Sequence, residues 1–436
     1  MDGFGMSEAN RDLRSGVGLE ASPNRLANAS RWSGLLALEG WIFNERRLQI
    51  YGSSVVAAYA LGGLVSWGLS RGVWAVLPDG SLSNIDFCWI WASGKLVASS
   101  DPSQIYDHSV YAAAQQMFYR PGECLFMHQY IYPPAFLFFS YPLGLMPYLA
   151  AFTVWVIATF ILYGATVWTI IPRAVALVAA ITPAAVKNIQ LGHTGFLVAA
   201  LIGLSLVLAE RRPWLSGISL GLLACKPQYG VLFPLALLAS RNWRAFVSAV
   251  AMSAALGLAA ALAFGFHGWL DFVETLFDRN LGLSPDDEVE LSLQSVYSLL
   301  RGMGAGATAA WIVQAAAAAL VALAVAVVWA KPISFALKAA FLCAGSVILT
   351  PYVLAYDLCI LTIAVAFLVS DGLDFGFLPG ERIVMLFGWG ALFLPTVPLA
   401  PVFCAAFLFL ILRRISAFGR SNMLRSMPIY PAVIGC

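Results

Sequence analysis

The chain has 436 residues, of which 11% are charged and 60% apolar, with a mean hydropathy of +0.80. Soluble globular proteins carry roughly 25% charged residues, so this composition excludes a soluble enzyme, a disordered tail protein and a nucleic-acid binder. A polytopic membrane protein remains, and its net charge of +2 says less about function than the placement of its charges does.

Residues 1–48 form a polar tail containing Arg11, Arg14, Arg25, Arg31 and Arg46, and no cleavable signal peptide fits because the first apolar run begins near Ile50. A first span is predicted from Ile50 to Leu69, about the length a hydrocarbon core requires. The half-polar segment 71–132 comes next. Apolar runs then occupy 135–171, 174–189, 194–209, 214–240, 244–266, 306–330, 333–349, 354–370, 383–400 and 401–412. Pro142 and Pro147 interrupt the first of these, and Lys226-Pro227 splits the run 214–240. The second polar segment is 267–305. The pattern predicts an all-α polytopic membrane protein with about ten to twelve transmembrane segments in a domain spanning 49–415, followed by a cytoplasmic tail, 416–436. If Arg173 lies inside, 148–171 descends and the short run 135–147 is re-entrant or half-length.

Lys and Arg orient the chain. Arg47, Arg211-Arg212, Arg241, Arg244, Lys331, Arg382 and Arg413-Arg414 all fall between spans and mark the cytoplasmic face. The segment 71–132 holds three basic residues against five acidic ones, and 267–305 holds two against seven. Both are therefore assigned to the outer face of an inner (plasma) membrane, with the N-terminus cytoplasmic.

Chemistry is expected in these two outer loops. Residues 84–99 read as a Trp-rich interfacial helix with Asn84 as N-cap and Asp86 in the first turn. Asp86 has two readings: an acid that suits the helix dipole, or a carboxylate held at the membrane surface as a general base. Tyr132-Pro133-Pro134 closes the loop as a helix entry. Seven scattered cysteines form no CxxC pair; Cys88 and Cys124 share the first outer loop, where a disulfide or two separate thiols are both compatible. Lys226 lies about 18 Å along a helix from Trp214, deep in apolar sequence, where a lysine is costly and points to function, with snorkelling as the alternative. Asp357, also within an apolar run, is a partner for Lys226 or a sugar-orienting group. Lys187 and Lys338 lie nearer the ends of their runs and read as snorkelling. Arg279 and Arg301 are alternative phosphate partners, or solvated loop residues. His267 and His128 sit at the outer boundary, within reach of phosphate or sugar hydroxyls. Ser284–Glu290 reads as a solvated loop tip rather than a divalent-ion site, and no metal or other cofactor is expected.

An ordered set of motifs carries a family resemblance. Asp86-Phe87, Gly94, Tyr106, Tyr132-Pro133-Pro134 and Pro142-Leu143 are followed by Gly192-His193-Thr194-Gly195. Gly217, Gly221 and Lys226-Pro227-Gln228 come next, then Trp243-Arg244, Phe264-Gly265, Trp269, Arg301, Gly304, Thr350-Pro351 and Tyr356-Asp357. Over residues 50–370 this series resembles the polyprenyl-phosphate-mannose-dependent mannosyltransferases of glycosyltransferase family 87. His193 stands where that family usually has Gln. The resemblance implies a GT-C-type helical bundle, a lipid-linked sugar donor, an outward-facing site and inversion at the anomeric carbon. It aligns the family's base with Asp86, marks Lys226 as the donor-phosphate clamp and adds His193, Gln228 and Tyr132 to the candidate site. Its partners would be a polyprenyl-phosphate sugar, a glycan or glycolipid acceptor and membrane lipids, with no nucleic acid. A single positioned base suffices for such a transfer, because the leaving phosphate needs charge stabilisation but no general acid. Rival readings are a secondary transporter, suggested by many spans and buried Lys and Asp, and another lipid-linked-sugar enzyme such as a polymerase or ligase.

Overall fold

The computed structural model describes residues 86–100, 102–116, 130–171, 180–277, 293–391 and 398–418, together with isolated helical positions between 34 and 61. Most of the N-terminal tail and first span, Asn84, Cys124, His128, Arg279 and the acidic run 284–290 lie outside the described residues. The protein is an all-α polytopic membrane protein, with no strand among the described residues. Among the described residues five helices are long and apolar enough to cross a membrane, and four shorter apolar helical segments accompany them.

The first described helix, α1 (Phe87–Ser99), and the short α2 (His108–Gln116) flank a 3₁₀ turn at Pro102–Tyr106. Asp107 caps α2, its Oδ1 accepting from the backbone N–H groups of Ser109 and Val110. The expected half-length run resolves as α3 (Leu137–Gly144), set off by Pro147 from the spanning helix α4 (Tyr148–Ile170). Helix α5 (Pro183–Leu191) starts with Thr182, whose side chain accepts from Ala185 N–H, and with Pro183 in its first turn. Helix α6 (Gly195–Leu208) then runs to the basic turn at Arg211-Arg212.

The segment 214–240 is not a crossing. Helix α7 (Pro213–Leu222) ends in a 3₁₀ turn at Leu223–Cys225, Lys226 takes an extended conformation, and Pro227 opens a second 3₁₀ turn. Helix α8 (Leu232–Ala239) then returns toward the end from which α7 entered, because Asn242 donates to the Ala209 carbonyl at 3.0 Å. This re-entrant hairpin explains how Arg212 and Arg241 can share one face. Gly217 and Gly221 lie one turn apart on α7 where it packs in parallel on α9 (Trp243–Phe264). A Cβ on Gly217 would meet the Ala245 carbonyl and Ser248, and one on Gly221 would meet Met252 and Ala249. Small residues at this spacing let two helices approach closely where burial from water supplies no drive.

Helix α10 (His267–Phe277) and α11 (Val296–Gly302) bracket the second polar segment. Beyond it run α12 (Ala307–Ala330), α13 (Phe335–Leu349), α14 (Cys359–Phe375), α15 (Glu381–Ala391) and α16 (Ala400–Phe418). Helices α6, α13 and α14 are buried along most of their length and make the centre of the bundle. The spanning segment that ends in α14 is 72% buried over its most apolar window, whereas α9 is 17% buried, so α9 presents its surface to lipid. The basic turns gather at one end of the bundle: Asn242 reaches Ala209, and Lys338 donates to the Trp329 carbonyl while lying near Glu210. At that end Arg414, fully buried, pairs with Asp371 at 2.9 Å and Glu381 at 2.6 Å and fastens α14 to α16.

Candidate active site

Three interruptions of helical structure meet at the opposite end of the bundle core. The first is the turn between α5 and α6. Gly192 there has φ +64°, and its N–H caps α5 on the Asn188 carbonyl. Only glycine takes that conformation cheaply, and a Cβ would also lie 2.7 Å from Phe87 Cβ and from the Phe152 ring. The next residue, His193, is consequently thrown across the core. The second interruption is the hairpin tip at Lys226-Pro227. The third is the extended stretch between α13 and α14, where Thr350-Pro351 stops one helix and a 3₁₀ turn, Ala355–Leu358, leads into the next. Backbone freed from regular helix inside a membrane protein is tolerated where it lines a cavity or is buried in protein.

Lys226 and Asp357 join at this meeting point, Nζ to Oδ1 at 2.6 Å, and both are at least 95% buried. Lys226 also donates to Thr194 Oγ1 at 3.1 Å, and its ammonium lies 5.4 and 5.3 Å from the ring centres of Tyr229 and Tyr356. The second Asp357 oxygen accepts from the Leu354 N–H at 3.2 Å. The His193 imidazole stacks on Tyr356, with centroids 3.8 Å apart. Its Nδ1 accepts from the Thr194 N–H at 2.8 Å, which assigns the ring proton to Nε2 and lets it donate to the Tyr132 hydroxyl at 3.2 Å. In that tautomer His193 links Tyr132 to Thr194. Tyr132 itself stacks on Phe136 at 4.4 Å, and its carbonyl accepts from Tyr106 Oη.

Asp86 stands in the turn immediately before α1, outside the spanning helices. It occupies the N-cap position rather than the first helical turn, and its side chain makes no capping hydrogen bond. Asp86 therefore sits at the positive end of the α1 dipole without bonding its free N–H groups. Burial pushes its carboxyl up to about 7; Lys226 and then Lys187 pull against that rise, and Asp357 adds to it. Asp86 is thus within electrostatic reach of the Lys226–Asp357 pair.

A family model described as glycosyltransferase family 87 matches residues 130–351, just over half of the chain. The chain belongs to glycosyltransferase family 87. Comparison with the curated proteins gives no match, and neither does comparison with the solved structures. The matched stretch carries Tyr132, His193, Thr194 and Lys226, while Asp86 precedes it and Asp357 follows it.

In this family 87 protein the structure draws together five of the ten sequence-derived candidates: Asp86, Tyr132, His193, Lys226 and Asp357. Gln228 is half-buried in the 3₁₀ turn beside Lys226. Two candidates lie elsewhere. Arg301 ends α11 and donates to the Ala305 carbonyl, closing its own turn, and His267 is exposed at the start of α10. Arg279 and His128 are outside the described residues. Thr194 and Tyr356, which the sequence offers only as members of the motif series, join these residues. Lys187 is half-buried on α5, which packs on the 3₁₀ turn bearing Asp357, and acts electrostatically on Asp86.

Proposed function

We propose that this membrane glycosyltransferase moves a hexose, mannose foremost, from a polyprenyl-phosphate donor to an acceptor hydroxyl on the outer face of the inner membrane, with inversion. The observation that carries the reading is a half-buried carboxylate within electrostatic reach of a buried ammonium. Asp86 is a carboxylate poised near neutrality, and Lys226 is an ammonium at the tip of a re-entrant hairpin, backed by Asp357 and Thr194. In the proposed step Asp86 takes the proton of the acceptor hydroxyl as its oxygen forms a bond to the anomeric carbon. The bond from that carbon to the phosphate oxygen breaks, and the electron pair leaves on the polyprenyl phosphate. Lys226 meets the charge that develops there, while Asp357 and Thr194 hold its ammonium in position. The aromatic rings around the site seat sugar and isoprenoid. The sidedness rests on the basic turns gathered at one end of the bundle and the acids of the two polar segments.

Family membership separates this reading from the transporter that the buried charges also suggested. Purified protein incubated with radiolabelled polyprenyl-phosphate hexose and a membrane extract is expected to yield donor-dependent glycosylated product without any gradient. Asp86→Asn is expected to cut that transfer at least a hundredfold with expression and folding intact. Near-normal transfer by Asp86→Asn would overturn the assignment of the base.

A further inference from the structure

The hydrogen bonds around His193 all run in one direction. Lys226 carries an ammonium and can only donate, so Thr194 Oγ1, 3.1 Å from Nζ, accepts there. The Thr194 hydroxyl gives its own hydrogen to His193 Nδ1 at 3.0 Å, beside the Thr194 N–H at 2.8 Å. A backbone N–H cannot accept, which keeps Nδ1 unprotonated and the ring hydrogen on Nε2. Nε2 lies 3.2 Å from the Tyr132 hydroxyl and donates to it. Tyr132 Oη is thus an acceptor toward His193, and its own hydrogen points elsewhere.

That hydrogen is held at the reaction site. The Tyr132 ring is stacked on Phe136 with centroids 4.4 Å apart, and its carbonyl accepts from Tyr106 Oη at 2.7 Å, so ring and backbone are both fixed. The residue is half-buried, Asp357 and Asp86 act on it electrostatically, and Thr194 lies beside its hydroxyl. The clamp has need of such a donor. Asp357 offsets the charge of Lys226 from 2.6 Å, while the charge on the phosphate grows as it leaves. An anionic phosphate oxygen is also a stronger acceptor than the Thr194 hydroxyl, because a charged partner roughly doubles the strength of a hydrogen bond.

Building on the proposed transferase reading, we infer that Tyr132 is a second, uncharged hydrogen-bond donor to the leaving phosphate, and that His193 is the positioning residue that aims it. The Gln usual in family 87 at this position preserves the same sense. Its amide oxygen accepts from the Thr194 N–H and its amide N–H donates to Tyr132. The test titrates full-length protein in nanodiscs with farnesyl phosphate and measures equilibrium binding. Tyr132→Phe keeps the ring on Phe136, loses only the hydroxyl, and is expected to bind about tenfold more weakly. His193→Leu should lose about as much, and the double variant no more than either single one, because both act through one hydrogen bond. His193→Gln should recover most of what His193→Leu loses, which a role confined to stacking on Tyr356 would not allow. If His193→Leu unfolds early, Tyr132→Phe decides by itself. Wild-type affinity in Tyr132→Phe, additive losses, or His193→Gln as weak as His193→Leu would overturn the inference, as would a wild-type protein that does not bind farnesyl phosphate. Binding needs no turnover, so the expected pattern without donor-dependent product would count against the transferase reading alone.

Discussion

Asp86 has lost much of its water without gaining a hydrogen bond from the helix it precedes. Its carboxyl is pushed up to about 7, first by burial and then by Asp357, against the pull of Lys226 and Lys187. The base form prevails above that value, so kcat/KM for transfer should fall about tenfold per pH unit below it and level off above it. Replacing Lys226 by Met removes a lowering charge and should move the Asp86 carboxyl to higher pH, as its titration followed directly by infrared difference spectroscopy between about pH 5 and 9 would show. The raised value also has a sign for stability. A neutral carboxyl is tolerated in the fold, and the cost of ionising it grows as pH rises from the ordinary 3.8 to about 7. Asp86→Asn should therefore unfold no earlier than wild type at pH 8. For Lys226 and Asp357 the expectation is reversed. Removing one member leaves a lone buried charge, so Lys226→Met or Asp357→Asn alone should lower the unfolding temperature, by an amount equivalent to about 3–5 kcal/mol. The double variant should regain most of that stability and none of the transfer activity, since a neutral pair cannot hold a phosphate. Thermal unfolding of the three variants beside their activities would check the split between structural and catalytic roles.

The elements that matter most are the ones that stop. Pro227 and Pro351 lack an N–H and cannot continue a helix, so the broken helices at Lys226 and before Asp357 were foreseeable from residue type. What could not be foreseen was that 213–242 turns back, because hydropathy is the same for a crossing helix and for a hairpin of two half-length arms. The contact from Asn242 to Ala209 distinguishes them. The turn carrying His193 depends on Gly192, whose left-handed φ costs about 1–2 kcal/mol for other residues. Gly192→Ala would add the collision with Phe87 and Phe152. It should lower both the unfolding temperature and transfer, because it displaces His193 and Thr194 from Tyr132 and Lys226. A variant with wild-type activity would show that the turn does not position them.

Across the whole molecule, charge follows location. The basic turns collect at one end, and the Lys226–Asp357 pair and Asp86 lie away from them, toward the helices of the two polar segments. Membrane character, the all-α class, the proline breaks and the cost of a lysine inside an apolar run were legible in the sequence, because each follows from composition or from one residue's own chemistry. Partnership was not. Lys226 and Asp357 are 131 positions apart, and Asp86 is farther still from Asp357; nothing local in a chain reports which distant breaks will coincide. The electrostatic neighbourhood of Lys187 and Asp86, about a hundred positions apart in the chain, was hidden for the same reason. The sequence by itself determined which charges are too expensive to be idle in a membrane. Only the tertiary structure decided which of them share a site, because the energy that fixes the pairing comes from contacts between segments that the chain keeps far apart.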